Sequence, residues 1–230
     1  MEVLPSAAVH AQRTRTPHVT PGAQPMNTLV ISGHPRPGSL SHALAAHYAD
    51  AARAAGARVQ TLALSDLHFD PHLHAGNHAG QPLEPDLERA QDLLRWSTHL
   101  CLTYPVWWGA PPALLKGFID RAFQPGFAFR YREGHAFPER LLTGRTARLI
   151  VTSDSPAWYL RAVMRDSAVN IVARSTLSFS GLRPVRVTRL GPVRTSTPQQ
   201  RQRWLDYVAV LAARDHRRTG RPQPIPHPTR

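Results

Sequence analysis

Residues 29–48, LVISGHPRPGSLSHALAAHY, contain the pattern that decides the fold. An apolar run ends at Gly33, a polar loop with two prolines follows, and a helical pattern begins at residue 39. Leu40, Leu44 and Tyr48 recur at the spacing that places side chains on one face of a helix. A buried strand, a short loop and an amphipathic helix form one βα unit, which is the building block of a parallel sheet.

The same alternation continues along the chain. Five strands are predicted, at residues 28–33, 58–64, 98–106, 146–153 and 184–190. Five helices are predicted, at residues 39–55, 84–96 and 112–123, from residue 156 through the 160s, and at 197–213. The central strands are continuous apolar runs, which is typical of a parallel sheet with helices on both faces. We therefore expect a doubly wound α/β fold with the flavodoxin-like strand order 2-1-3-4-5, in preference to a Rossmann-like order.

Both ends of the chain differ in composition from this alternating middle. They contain Pro and Arg without a periodic apolar pattern, and such segments cannot bury enough apolar surface to fold. We expect a disordered N-terminal extension over residues 1–25, one folded domain over residues 26–214, and a disordered basic tail over residues 215–230. Met26 directly precedes the first strand, so the sequence leaves open whether translation starts there or at Met1.

Composition and charge exclude several classes of protein. No apolar run approaches the roughly 20 residues that a membrane span needs, and the first residues do not resemble a secretory signal. We therefore expect a cytoplasmic location. The formal net charge is +13, but Lys116 is the only lysine among 28 basic residues and the arginines are scattered. This favours attraction to anionic ligands over a nucleic-acid partner. The single cysteine, Cys101, lies in an apolar strand and is expected in the core.

The loop after the first strand has the chemistry of an anion site. It lacks GxGxxG and the Walker A pattern, so neither of those phosphate-binding modes applies. Ser39 and Ser41 place hydroxyl groups at a helix N-terminus, where backbone N–H groups are free to bind an anion, and His34 offers a further donor. In the alternative interpretation, Ser39 only caps the helix and His34 is an ordinary loop residue. This loop taken alone does not decide between the two.

The loop after the third strand favours a flat aromatic ligand. It reads Pro105, Val106, Trp107, Trp108, Gly109. Two adjacent tryptophans in a strand-to-helix turn cannot both point into the core. In a doubly wound fold ligands bind at the carboxyl ends of the strands, and the unusual loops after the first, third and fourth strands all lie there.

Three segments resemble the flavodoxin-like NAD(P)H:quinone oxidoreductases, a family that includes mammalian quinone reductases, bacterial modulators of drug activity and ancillary flavoproteins of potassium-efflux systems. They are HPRPGSLSHAL at 34–44, YPVWWGAPPALLKGFIDRAF at 104–123 and VTSDSPAWY at 151–159. The resemblance covers roughly residues 27–212. The P-x-x-W-x-x-x-P pattern with the following KGFIDR is its most specific part.

The resemblance implies roles for particular residues. The loop that grips the flavin phosphates corresponds to His34, Ser39, Leu40 and Ser41. The loop that lines the isoalloxazine ring corresponds to Pro105, Val106, Trp107 and Trp108. Further cofactor contacts correspond to Thr152, Ser153, Asp154 and Ser155, where quinone reductases have Thr-Thr-Gly-Gly. The resemblance makes Tyr159 the catalytic tyrosine at the pyrimidine edge of the flavin. The family's histidine beyond this tyrosine is absent, and Arg161 and Arg165 occupy that region.

The implied activity is hydride transfer from NAD(P)H through bound FAD, with FMN as the alternative, to a quinone or similar flat electrophile. One site used in turn by donor and acceptor implies ping-pong kinetics. The alternative function is a flavodoxin-type electron carrier or a flavin-binding regulatory subunit without turnover of its own. The choice between NADH and NADPH and the natural acceptor stay open.

Two other segments lie outside these motifs. In residues 127–145 the alternation of Phe127, Phe129 and Tyr131 is typical of a short half-exposed strand, and in the family this segment packs near the partner's site. We therefore expect a homodimer, with a partnerless surface hairpin as the alternative. Four histidines crowd the loop at residues 68–78. We interpret this loop as a mobile, polar segment near the substrate mouth, with a zinc site as the alternative interpretation, and we expect no metal site in the protein.

Overall fold

A computed structural model describes residues 25–74, 76 and 81–218 of the chain. The strands are β1 (Asn27–Ser32), β2 (Arg58–Ala63), β3 (His99–Pro105), β4 (Phe129–Arg130), β5 (Glu139–Arg140), β6 (Thr146–Thr152) and β7 (Val185–Leu190). The α-helices are α1 (Leu40–Ala54), α2 (Pro85–Trp96), α3 (Ala113–Ala122), α4 (Ala157–Ala162), α5 (Ser167–Val172) and α6 (Pro198–Arg218). A 3₁₀ turn at Leu64–Asp66 follows β2, and a π-helical turn at Ala173–Ser178 follows α5.

Five parallel strands form the main sheet in the order β2-β1-β3-β6-β7. The two short strands β4 and β5 form a separate antiparallel hairpin, so the five long strands have the predicted order 2-1-3-4-5. The predicted flavodoxin-like fold is therefore confirmed. Each long strand also lies within one residue of its predicted position at both ends, because buried parallel strands are apolar throughout and change composition sharply at their ends.

The two faces of the sheet bury two separate apolar clusters. Val30, Cys101 and Ile150 face the side covered by α1 and α6. Their neighbours along the strands, such as Leu29, Leu100 and Leu149, face the opposite side, which is lined by residues of α2, α3 and α5. The alternation follows from the period of two in a strand. Cys101 is fully buried, as expected, and burial raises the pKa of its thiol, so it behaves as a core residue.

The helix predicted from residue 156 through the 160s is interrupted. Arg165 and Asp166 have φ values of 50° and 52°, a left-handed conformation that L-residues adopt only at a cost, so α4 and α5 are separate helices. The carboxylate of Asp166 accepts hydrogen bonds of 2.9 and 2.6 Å from Arg189 of β7. This bidentate ion pair holds the break in place, and the sequence pattern gave no sign of it.

The C-terminal helix is longer than predicted. It runs to Arg218, so the domain boundary expected at residue 214 falls inside α6, and the buried Asp215 belongs to the folded unit. Residues 1–24 and 219–230, which make up most of the two expected tails, lie outside the described residues. Within the described part of the chain, no helix is long and apolar enough to cross a membrane.

A buried ion pair fastens α6 to the sheet. Asp215 accepts two hydrogen bonds from Arg148 of β6, one of them 2.7 Å long, and a third of 2.9 Å from the Tyr48 hydroxyl of α1. Arg148 also donates to Thr188 of β7 at 3.1 Å. Burial alone would raise the pKa of Asp215, but the hydrogen bonds and charge of Arg148 outweigh it, so the pKa is lowered.

Replacing Asp215 by alanine is expected to lower the free energy of unfolding by about 3–5 kcal/mol, because it leaves Arg148 buried without its carboxylate. Urea unfolding measures this loss. Asp50→Ala is the matched control, since Asp50 pairs with Arg53 on the surface and its loss costs about 1 kcal/mol or less. Because the folded pKa of Asp215 is depressed, its contribution is present above the unfolded value of 3.8 and disappears as pH falls through the folded value. Equal losses in the two variants would contradict this account.

Candidate functional site

Backbone hydrogen bonds continue past the ends of the strands and join the loops at the carboxyl edge of the sheet. Gly33 N donates to Thr103 O at 2.7 Å, Val106 N to Thr152 O at 2.7 Å, and Ser153 N to Leu190 O at 3.1 Å. These bonds bring the loops after β1, β3, β6 and β7 side by side. The three loops that the sequence singled out are therefore neighbours.

The first of these loops ends in a capped helix with free donors. Ser39 is buried and is the N-cap of α1, with its hydroxyl oxygen accepting from His42 N at 3.4 Å. The capping role of the alternative interpretation is therefore present, and the phosphate-binding role of Ser39 stays a prediction. The next two N–H groups, of Leu40 and Ser41, have no acceptor among the described residues, as is usual for the first turn of a helix. The Ser41 side chain is also buried, and its carbonyl accepts from the Thr103 hydroxyl at 2.9 Å.

His34 links the first loop to the tryptophan turn. Its ring meets that of Trp107 edge-to-face at 5.3 Å between centroids. Its Nδ1 accepts from Arg36 N at 2.9 Å, so in the neutral ring the proton lies on Nε2. Burial lowers the pKa of His34, and the positive charges of Arg36 and His42 lower it further. The neutral ring therefore offers one N–H donor at this junction.

The tryptophan turn holds two aromatic side chains away from the core. Trp107 and Ala110 exchange two backbone hydrogen bonds of 2.9 Å, and the residues between them, Trp108 and Gly109, have φ values of 51° and 72°. Positive φ at both central positions is characteristic of a type I′ turn. Trp108 is fully exposed and Trp107 is 44% exposed, which agrees with the expectation that both could not point inward.

Gly109 fits this turn closely against the start of α5. The Ser167 hydroxyl donates to Gly109 O at 2.5 Å, and a Cβ at Gly109 would lie 2.7 Å from Met164 Cε. The turn after β3 therefore packs directly on the segment between α4 and α5. This contact places the tryptophan turn next to the segment that joins α4 to α5.

The loop after β6 uses its side chains internally. The Ser153 hydroxyl donates to Ser155 O at 2.7 Å, and Asp154 accepts from Arg194 N at 2.7 Å. Thr152 and Ser153 are buried. The N–H groups of Asp154 and Ser155 have no acceptor among the described residues, so this loop offers backbone donors rather than hydroxyls.

The helix α4 adds exposed aromatic surface beside the turn. Tyr159 is 36% exposed, its hydroxyl has no partner among the described residues, and its ring meets Trp158 edge-to-face at 5.8 Å. The exposed large apolar side chains of the turn, of α4 and of its C-cap are Trp107, Trp108, Trp158, Tyr159 and Val163. Large apolar side chains left exposed on two neighbouring segments favour a binding site there.

Sequence reasoning missed His42, Ser65 and Asp66, which border the first loop. Ser39 Oγ lies 2.9 Å from His42 Nδ1, and His42 Nε2 lies 3.2 Å from Ser65 Oγ. The Ser65 hydroxyl donates to Asp66 at 2.8 Å. The spacing Ser-x-x-His was the available signal, because the third helical position is where a capping-box residue faces back toward the N-cap. The partner pair follows β2 and could not be placed without the sheet order.

Among the described residues of the histidine loop, no histidine is hydrogen-bonded to the three loops of this site. His72 and His74 both contact Asp70, at 2.9 and 2.6 Å, while His78 lies outside the described residues. Within the residues that the structure describes, no group of three or more His, Cys, Asp or Glu side chains could hold a metal ion.

The geometry fits a ligand that combines a flat ring with an anionic group. Free N–H groups at the start of α1 suit the anion, and exposed aromatic side chains suit the ring. The hydroxyl of Ser32, at the end of β1 and directly before the first loop, is buried without a hydrogen-bond partner in the structure. A ligand held at this edge would find unused donors on two loops.

Known proteins are similar to this chain over most of its length. A family described as having a flavodoxin-like fold matches residues 26–211. An uncharacterized NAD(P)H oxidoreductase of Haemophilus influenzae is 24% identical over 189 residues, which cover 80% of this chain and 93% of that relative. The structure of NAD(P)H:quinone oxidoreductase from Methanothermobacter marburgensis is 21% identical, with a TM-score of 0.71 over 83% of this chain and 98% of that one. An FMN-dependent NADH-azoreductase from Bacillus anthracis, solved with FMN, is 18% identical, with a TM-score of 0.63 over 82% of this chain and 98% of that one.

Trp108→Asn is expected to raise the free energy of unfolding by about 0.5–1 kcal/mol, because Asn-Gly is a preferred type I′ pair and the fully exposed indole contributes little packing. Trp158→Asn is the control, because Trp158 is also exposed but lies in α4. The backbone there is right-handed, so asparagine brings no advantage of turn conformation. Thermal unfolding of both variants measures the difference. A loss of stability in Trp108→Asn would show that the tryptophan is retained for packing.

Proposed function

The chain belongs to the family with the flavodoxin-like fold, and from this premise we propose that it is a flavin-dependent NAD(P)H oxidoreductase. Its acceptor is a quinone or a similar flat electrophile. The observation that carries the proposal is the contact between His34 and Trp107, which joins the free helix N-terminus to the exposed aromatic turn. The names of the relatives, NAD(P)H oxidoreductase and quinone oxidoreductase, support the same reaction class.

The residues present fit a flavin. The phosphates are assigned to the start of α1, where His34 and Ser39 flank the free N–H groups of Leu40 and Ser41. The ring is assigned to the tryptophan turn, at Pro105, Val106, Trp107 and Trp108. Thr152, Ser153, Asp154 and Ser155 are assigned to the ring edge through backbone N–H groups, because the side chains of Ser153 and Asp154 are already hydrogen-bonded within the protein. Bound flavin would supply the hydride chemistry.

The protein's own contribution is to keep one face of the flavin ring accessible and to stabilise the negative charge that develops at the ring edge. The turn at Trp107–Ala110 is fixed by its paired backbone hydrogen bonds, so the ring-binding surface is preorganised. The open edge beside it serves NAD(P)H and the acceptor in turn, which gives ping-pong kinetics. Tyr159, whose hydroxyl has no hydrogen-bond partner among the described residues, is proposed to donate a hydrogen bond to the ring edge where negative charge develops.

Several finer features rest on the sequence and stay proposals. FAD is the proposed flavin and FMN the alternative, and the FMN-bound relative keeps that alternative in view. A homodimer is proposed because residues 127–145 resemble the segment that packs near the partner's site in the family. Phe129 of this segment also lines a groove of about 310 Å³, together with Ile119 and Phe179, that opens between α3 and the π-helical turn. A cytoplasmic location and the absence of a nucleic-acid partner are predictions of the same kind.

Purified protein is expected to be yellow, or to bind added FAD or FMN with quenching of tryptophan fluorescence. Mixing with NAD(P)H without acceptor should then bleach the bound flavin, and adding a quinone should restore the colour. Stopped-flow absorbance measures both steps. Binding without bleaching would favour the electron carrier or regulatory subunit, and no binding of either flavin would contradict the proposal as a whole.

Tyr159→Phe is expected to slow bleaching by NAD(P)H about ten- to a hundredfold, which corresponds to about 1.4–2.8 kcal/mol for a hydrogen bond that strengthens in the transition state. Flavin content should barely change. Tyr207→Phe, which alters a comparably exposed tyrosine on α6, is the matched control. An unchanged single-turnover rate at full flavin occupancy would make Tyr159 a structural residue.

A further inference from the structure

Four polar side chains form one hydrogen-bonded chain behind the proposed phosphate site. Ser39 Oγ lies 2.9 Å from His42 Nδ1, His42 Nε2 lies 3.2 Å from Ser65 Oγ, and Ser65 donates to Asp66 at 2.8 Å. Ser39 is the N-cap residue whose hydroxyl the proposed function places against an anion. These hydrogen bonds therefore connect the proposed anion site to the carboxylate of Asp66, on the turn after β2.

Proton counting fixes the direction of each bond. A hydroxyl has one proton, so Ser65, which donates to the Asp66 carboxylate, can only accept from His42 Nε2. A neutral His42 ring then has its single proton on Nε2, and its Nδ1 has a lone pair. It follows that Ser39 donates its only proton inward, to His42 Nδ1. In this state the Ser39 hydroxyl has no proton left for an anion.

Burial favours the neutral form of His42 in the ligand-free protein. Burial lowers the pKa of His42 from its ordinary value of 6.5, and the negative charge of Asp66 works against this shift without reversing it. The His34 ring lies 6.4 Å away, and Arg36, whose backbone N–H donates to His34, is the basic residue next to it. The N-terminus of α1 also carries partial positive charge.

We propose that His42 is a positioning residue that takes up a proton when an anion binds at the start of α1. The imidazolium would donate from Nδ1 to Ser39 and from Nε2 to Ser65, which frees the Ser39 proton to point at a phosphate oxygen. One proton enters from solvent and stays on His42, and no covalent bond changes. This inference rests on the proposed function, because that function places the flavin phosphates at this helix end.

Anion binding at the start of α1 and protonation of His42 are expected to favour each other. Anion binding raises the pKa of His42 above its lowered free value, so a proton is taken up between the two values. The affinity of the protein for the anion therefore falls as pH rises through that window. For one proton, Kd rises by at most about tenfold per pH unit. FAD is the suitable probe, because its pyrophosphate does not titrate in this range and any change belongs to the protein.

The test is calorimetric titration of the full-length protein with FAD from about pH 6 to about pH 8, where imidazoles titrate, in buffers of different ionisation heat. His42→Asn places a side-chain NH₂ group near the position of Nδ1. This NH₂ group can donate to Ser39 without taking up a proton. His47→Asn is the matched control, an exposed histidine on the same helix. His34→Asn tests whether the other histidine of the site takes up the proton instead of His42. His42→Gln serves as a second variant if the first does not fold.

Proton uptake in the wild type and in His47→Asn, together with its loss in His42→Asn and pH-independent FAD affinity there, supports the proposal. Undiminished uptake in His42→Asn overturns it, as does uptake that disappears only in His34→Asn. FAD binding by the wild type without any proton uptake also overturns it while leaving the proposed function standing. If the wild type binds no FAD at any pH, the proposed function fails and this inference fails with it.

Discussion

The site depends on hydrogen bonds that extend the parallel ladder beyond the strand ends. Gly33, Val106 and Ser153 each donate a backbone N–H to the neighbouring strand or its last residues after their own strand has ended. Because the strands are parallel, all these extensions lie at one edge. Loops that leave this edge are therefore fixed in position before any side chain acts, and the ring-binding turn and the anion-binding helix start become neighbours.

Side chains at this edge depart from what folding alone would select. Trp108 occupies a left-handed position where Asn or Gly is preferred, and it is fully exposed, so neither backbone preference nor packing explains it. Ser39 caps a helix, yet it is also one end of a polar chain that reaches Asp66. Local departures of this kind are expected where a site, rather than stability, determines the residue.

Much of the fold was readable from the sequence because buried parallel strands and amphipathic helices have strong, local patterns. The five long strands and the start of α1 were predicted closely for that reason. The break at Arg165 and Asp166 was not, because it depends on an ion pair with Arg189, which is distant in sequence. The extension of α6 was missed because residues 214–218 are mostly charged and a proline-rich segment follows them, which predicts the end of a helix. Asp215 belongs to the fold because it pairs with the buried Arg148 of β6, which is distant in sequence. In the site, residue types identified Ser39 and Trp107. The Ser-x-x-His spacing was the sequence signal for His42, but its partner Ser65 could be placed only once β2 was known to lie beside β1.

In the proposed function the helix start and the tryptophan turn hold one ligand between them. A crystal structure of the protein with bound flavin would show whether they do. The phosphate is expected within hydrogen-bond distance of the Leu40 and Ser41 N–H groups, and the ring against the turn at Trp107–Gly109. A flavin bound elsewhere, or one whose phosphate lies away from the first turn of α1, would show that these two elements do not form one site.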